Sequence, residues 1–232
     1  MTHVATLIGP DAPSVVARAR DALPGAGEPV SLAPDAIDIF FTPHTDIDHR
    51  KTADALRKTL GGSVDVIVQS AAGRRKKLFL ADMDSTMIQQ ECIDELADYA
   101  GLKAHVAAIT ERAMRGEIAF EPALRERVAL LEGLPVSVID EVLRDRIRLT
   151  PGARTLIVTM RANGARTCMV SGGFTHFTDR IAAMIGFDQT RANRLTVVDG
   201  HLRVGKVAEP GVGRDGERAA LVEFRKEVHV AK

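Results

Sequence analysis

The chain reads as an α/β protein in two parts, a small α+β domain followed by a larger α/β domain that carries a helical insertion. Three observations lead there. Residues 1–70 alternate in the order β-α-β-β-α-β, the split βαβ arrangement. The apolar run Leu78-Phe79-Leu80-Ala81 ends in Asp-x-Asp-x-Thr, a polar turn at the end of a buried strand. Between that turn and Pro151-Gly152, every segment has the spacing of a helix.

Taken in order, the apolar stretch 4–8 predicts a strand, and residues 12–23 a helix. Strands are expected near 29–32 and over 36–41, a helix over 46–60 and a strand over 63–69. Residues 71–76, small and then charged, are the expected linker, and the second domain starts at Lys77. After the strand at 78–81, helical spacing recurs over 90–99, 103–114, 121–131 and 136–143, with Gly and Pro between. The α/β pattern then resumes with a helix over 153–161 and an apolar strand over 167–170 that ends in Ser171-Gly172-Gly173-Phe174. Asp199-Gly200, between apolar runs at 195–198 and 202–207, predicts a hairpin with a type I′ turn.

The chemistry concentrates at Asp82 and Asp84. Alternation about Met83 brings the two carboxylates toward one point. A carboxylate can attack phosphorus to form an aspartyl-phosphate, and a hard divalent cation takes carboxylate oxygens beside the phosphate that it neutralises. The pair therefore suits Mg²⁺-assisted phosphoryl transfer, although polar residues also end strands for no chemical reason. Ser171, Gly172 and Gly173 free the backbone to approach a phosphate oxygen, but Ser-Gly-Gly alone is a common turn.

The run Asp82-Met83-Asp84-Ser85-Thr86-Met87-Ile88-Gln89-Gln90-Glu91-Cys92-Ile93-Asp94-Glu95-Leu96 closely resembles the first motif of phosphoserine phosphatases, a branch of the haloacid dehalogenase superfamily. That resemblance implies a doubly wound Rossmann-like sheet, a helical cap at about 88–150 and, ahead of them, an ACT-like domain over 1–70. It implies hydrolysis of O-phospho-L-serine to L-serine and phosphate, the last step of serine biosynthesis, with Mg²⁺ as cofactor. Asp82 is then the nucleophile and Asp84 the acid and base, and both serve the metal, Asp84 through its backbone carbonyl. Ser171 and Gly172 take the phosphate, Glu91 the substrate ammonium, and Arg127 the carboxylate. Without the resemblance, Glu91 and Arg127 are ordinary helix-surface charges.

The resemblance runs from about residue 36 to 221 and stops there. The family's lysine after the second motif falls at or beside Glu217, and no Gly-Asp-Gly-x-x-Asn-Asp run follows; residues 228–231 are at most a stub of its strand. The expected consequence is a weakened enzyme, with the strand at 78–81 left as an unpaired apolar edge and the helices on that side missing. The alternative reading is a catalytically impaired remnant that acts as an amino-acid-binding or interaction module.

Composition narrows the partners. With 45% hydrophobic and 27% charged residues, the chain is globular, and no apolar run is long enough to span a bilayer. No secretory signal precedes Pro10, so a cytoplasmic location is expected. The formal net charge is zero, which argues against nucleic acid and anionic membrane as partners; a small-molecule substrate remains, and a homodimer is left open. Arg74-Arg75-Lys76-Lys77 reads as a solvated boundary, and Cys92 and Cys168 as buried thiols rather than a disulfide.

Overall fold

A computed structural model describes residues 1–203 and 214–227, apart from the side chains of Met114, Phe120, Arg214, Asp215 and Glu217. The chain divides into two compact units, Met1–Lys76 and Lys77–Lys232.

In the first unit, β1 (His3–Ile8), α1 (Ala12–Ala22), β2 (Val30–Ala33), β3 (Ala36–Phe41), α2 (His49–Thr59) and β4 (Asp65–Ser70) follow one another. The sheet has the order β2-β3-β1-β4 and is antiparallel throughout. Period-two alternation sends Ala5, Leu7, Ile37, Ile39, Val66 and Val68 to one face, where Val15 and Ala19 of α1 and Leu56 of α2 bury them. Helix α2 begins three residues later than the spacing suggested. The reason is Asp48, whose carboxylate accepts the Lys51 N–H at 3.0 Å and caps the helix there.

The basic run does not behave as one solvated stretch. Arg74 donates its guanidinium to both carboxylate oxygens of Asp38, and from 3.1 Å to Thr6 Oγ. Thr6 and Asp38 face each other across the β1–β3 ladder, and Thr6 donates to Asp38 over 2.7 Å. A buried carboxylate needs such partners, and Arg74 reaches back to supply the charge. Arg75, Lys76 and Lys77 remain exposed.

The second unit begins with β5 (Leu78–Ala81) and continues through α3 (Cys92–Tyr99), α4 (Lys103–Met114), α5 (Phe120–Ala129) and α6 (Ser137–Asp145). Then come α7 (Ala153–Ala162), β6 (Arg166–Phe174), α8 (Thr175–Ile185), β7 (Gln189–Asn193), β8 (Thr196–Val198), β9 (His201–Arg203) and α9 (Arg214–Glu227). Strands β5, β6 and β7 form a parallel sheet in that order. Helices α7 and α8 pack on one face through Ile157, Phe177 and Ile181, which meet Met169 of β6. Helix α9 covers the other, where Ala220 and Phe224 meet Cys168 and Val170 with Leu78 and Leu80 beside them.

That last contact corrects one expectation. Among the described residues β5 pairs with β6, and its apolar side chains are not left bare, because α9 lies over them. Area removed from water this way is worth about 25 cal/mol per Å². Residues 228–231 lie outside the described residues.

Strand β6 also runs further than expected, through Ser171-Gly172-Gly173 to Phe174. Its pairing with β7 jumps from Val170↔Arg191 to Phe174↔Asn193, so the chain bulges over the Ser-Gly-Gly segment. The hairpin β8–β9 turns at Asp199 and Gly200, with φ of 49° and 73°, as a type I′ turn requires. It is zipped to the segment before α6, for Gly133 donates to the Leu202 carbonyl at 2.9 Å and Leu202 returns a bond to Leu134 at 2.8 Å. Residues 204–207, once expected in this hairpin, lie outside the described residues. No helix among the described residues is long and apolar enough to cross a membrane.

Candidate active site

The site forms where β5 ends. Met83 is fully buried, and its carbonyl collects the N–H groups of Thr86, Met87 and Ile88 at 3.3, 2.9 and 3.1 Å, which folds the chain into a tight knot. With Met83 as the inward anchor, Asp82 and Asp84 turn to the cavity on either side of it. Ser85 follows with φ of 48°, a left-handed conformation rare for a residue with a side chain. Its N–H is held by the Gln90 carbonyl at 3.1 Å and its hydroxyl donates to Glu91 Oε1 at 2.6 Å. Glu91 sits at the N-cap position of α3 without a side-chain capping bond, and Cys92 at the first turn donates its N–H to Asp84 Oδ1 at 3.0 Å.

A cavity of about 380 Å³ opens over this knot, and Asp82, Asp84, Glu91, Arg127, Ser171 and Gly172 all line it. Residues spread over ninety positions of sequence thus meet in one place, where β5 and β6 are parallel neighbours and α3 and α5 line the same cavity. Gly173, Phe174, Leu124, Ile93 and Cys92 complete the walls. Ser171 is buried and its Oγ accepts the Gly173 N–H at 3.0 Å. A Cβ at Gly173 would lie 3.0 Å from Asp84 Oδ2 and 3.2 Å from Ser171 Oγ, so these side chains would have to give by a few tenths of an ångström.

Burial pushes the Asp84 carboxyl up to about 6, against the Cys92 N–H, which lowers it, while the charges of Glu91 and Asp82 add to the rise. Burial also lowers the Arg127 guanidinium from its ordinary value, with Asp94 and Glu91 acting the other way. Arg127 is held from behind by the Ala123 carbonyl and by Thr110 Oγ, both 3.3 Å from its nitrogens.

Sequence reasoning missed Asn193, a buried residue at the end of β7 whose amide donates to the Gly172 carbonyl at 2.8 Å. An Asn closing a short strand beside a Gly-rich bulge was the available signal. It also missed α8, although Phe177, Ile181 and Ile185 recur at helical spacing and Gly186 ends the run with φ of 103°. The Glu217 side chain, where the family's lysine was sought, lies outside the described residues. Among the described residues no group of three or more His, Cys, Asp or Glu side chains is arranged so that protein ligands alone could hold a metal ion.

Residues 79–231 match the model of the haloacid dehalogenase-like hydrolases, about two thirds of the chain. The chain belongs to that family. Within this hydrolase family, it is 54% identical over 151 residues to the phosphoserine phosphatase of a Polaromonas species, covering 63% of this chain and 64% of the relative. The crystal structure of a probable phosphoserine phosphatase from Vibrio cholerae is 27% identical, with a TM-score of 0.74, and spans 99% of this chain and 70% of that one. A structure described as a phospho-aspartyl intermediate analogue of phosphoserine phosphatase is 37% identical, with a TM-score of 0.61 over 67% of this chain and 74% of that one. The chain thus spans less than two thirds of the length of the Polaromonas relative.

Proposed function

We propose that this hydrolase is a phosphoserine phosphatase, converting O-phospho-L-serine to L-serine and phosphate through an aspartyl-phosphate. The observation that carries the reading is the single cavity in which two acidic groups, a Ser-Gly pair, one carboxylate and one guanidinium converge. A phosphorylated amino acid presents a phosphate, an ammonium and a carboxylate, and each finds its complement there. Ser171 and Gly172 receive the phosphate, Glu91 the ammonium and Arg127 the carboxylate, the last through a planar fork. The relatives named for this activity favour the enzyme over a remnant that only binds.

The chemistry follows in two displacements. An Asp82 oxygen attacks phosphorus, the bond from phosphorus to the serine oxygen breaks, and the departing oxygen takes the proton of Asp84. Asp84 then accepts a proton from water as the water oxygen attacks the aspartyl-phosphate, and the bond to Asp82 breaks to release phosphate and restore the carboxylate. A carboxyl raised to about 6 suits both halves, being able to hold a proton near neutrality and to take one back.

Asp82 and the Asp84 backbone carbonyl are the residues that would hold Mg²⁺. Their fit rests on the donor set, since this ion takes one or two protein carboxylates and completes its shell with water and substrate oxygens. When bound, the ion offsets charge on the phosphoryl oxygens.

We read the first unit as an ACT-like domain and α3 to α6 as the cap of the second. The β-α-β-β-α-β order with its antiparallel four-stranded sheet supports the former, and the placement of Glu91 at the start of α3 and Arg127 on α5, both lining the cavity, the latter.

The test is a rate comparison with Mg²⁺ present. Phosphoserine should be hydrolysed in preference to p-nitrophenyl phosphate, and Asp82→Asn should stop both. Equal rates on the two esters at matched concentration would overturn the substrate assignment.

A further inference from the structure

Helix α3 places a second acidic residue close to the cavity without letting it in. Asp94 lies one turn beyond Glu91, its N–H bonded to the Glu91 carbonyl at 3.1 Å, so the first turn presents Glu91 to the cavity and Asp94 behind it. Among the described residues Asp94 Oδ1 is buried without a hydrogen-bond partner. A buried carboxylate oxygen left unpaired is costly and calls for a reason. The charge that Asp94 feels most is the Arg127 guanidinium, ahead of Lys103, and Asp94 acts on Arg127 in return more than Glu91 does.

Arg127 itself is half-buried and only partly tied. Its Nε donates to the Ala123 carbonyl and one terminal nitrogen donates to Thr110 Oγ. Thr110 is fixed for that task, because its own hydroxyl proton goes to the Val106 carbonyl at 3.1 Å, leaving a lone pair for Arg127. Among the described residues two of the five guanidinium N–H groups are thus held by neutral acceptors, and Asp94 acts on Arg127 through its charge, without a hydrogen bond between them.

The geometry points to Asp94 and Thr110 as positioning residues that keep Arg127 aimed, and so set the preference of the cavity for a ligand bearing a carboxylate. This rests on the reading of Arg127 as the carboxylate site. Neither residue lines the cavity, so each acts through Arg127. The acidic first turn also suits the α3 dipole, a purely structural benefit that would not discriminate between ligands.

The experiment is calorimetric binding in an Asp82→Asn background, which removes the proposed nucleophile. The probes are O-phosphoserine and O-phosphoethanolamine, identical but for the carboxylate. Asp94→Asn and Thr110→Val are each expected to weaken phosphoserine binding about fivefold, the scale of coupling within one polar network, with phosphoethanolamine unaffected. In an Arg127→Ala background both substitutions should lose their effect. Unchanged phosphoserine affinity, equal losses for both probes, or an effect that persists without Arg127 would overturn the proposal. If the parent binds both probes equally before any change at 94 or 110, the carboxylate reading of Arg127 fails first, and this inference with it.

Discussion

Cys92 donates its backbone N–H to Asp84 Oδ1 over 3.0 Å, which ties the second carboxylate of the turn to the first residue of α3. The two motif positions are eight residues apart in sequence, so the closure of this loop aims Asp84. It also seals the Cys92 side chain in the core.

One consequence is chemical inertness of the thiols. Burial, and after it the nearby Asp84 charge, push Cys92 far above the ordinary thiol range, and burial pushes Cys168 up to about 11. Neither should react with iodoacetamide in the native protein at pH 8. Mass spectrometry of the native and the urea-unfolded chain decides, with two labels expected only in the second.

Arg127→Ala should raise KM for phosphoserine about tenfold or more, the size of a lost charge-assisted contact. KM for p-nitrophenyl phosphate should stay where it was. A parallel rise for both esters would place Arg127 outside substrate recognition.

Gly173→Ala puts a methyl group against Asp84 Oδ2 and Ser171 Oγ. Asp84 cannot retreat freely, being pinned by Cys92. We expect kcat to fall about tenfold or more at near-wild-type stability, since small displacements of reacting groups are expensive in rate. Steady-state kinetics beside a thermal melt separates this from simple misfolding.

In the first unit, Arg74→Ala would leave the Asp38 carboxylate buried with, among the described residues, only Thr6 as its side-chain partner. The loss should be about 3 kcal/mol, the order seen when one member of a buried pair is removed. Asp38→Asn in the same chain should recover part of it. Denaturant unfolding of the intact protein reads both, and an unchanged midpoint for Arg74→Ala would show that water reaches Asp38.

Asp188 contributes to the acid side of stability in the second unit. Burial works to raise its carboxyl, but the Thr167 N–H and hydroxyl at 2.8 and 2.9 Å, with the charges of Arg161 and Arg166, outweigh it and hold the group below its ordinary value. A depressed folded-state value means stability that is present above the ordinary carboxylate range and lost as pH falls through the folded one. Asp188→Asn should therefore lower Tm by a few degrees at pH 7, with the gap to wild type closing toward pH 3. A gap constant across that range would contradict the ion-pair account.

The sequence by itself determined the elements and the acidic turn. Period-two and helical spacing are local properties, so the strand at Leu78–Ala81 and the helix at Lys103–Met114 were legible from composition along the chain, and Asp82 and Asp84 announced themselves by alternation about Met83. Helix α8 is equally local, with Phe177, Ile181 and Ile185 at helical spacing. What the tertiary structure decided was proximity. That Arg127 faces Glu91 across one cavity, that Asn193 holds the Gly172 carbonyl, and that Arg74 returns to a buried Asp38 all depend on which strands are neighbours. Strand order is set by long-range packing, whose free energy is shared over the whole core, so no short stretch of sequence encodes it.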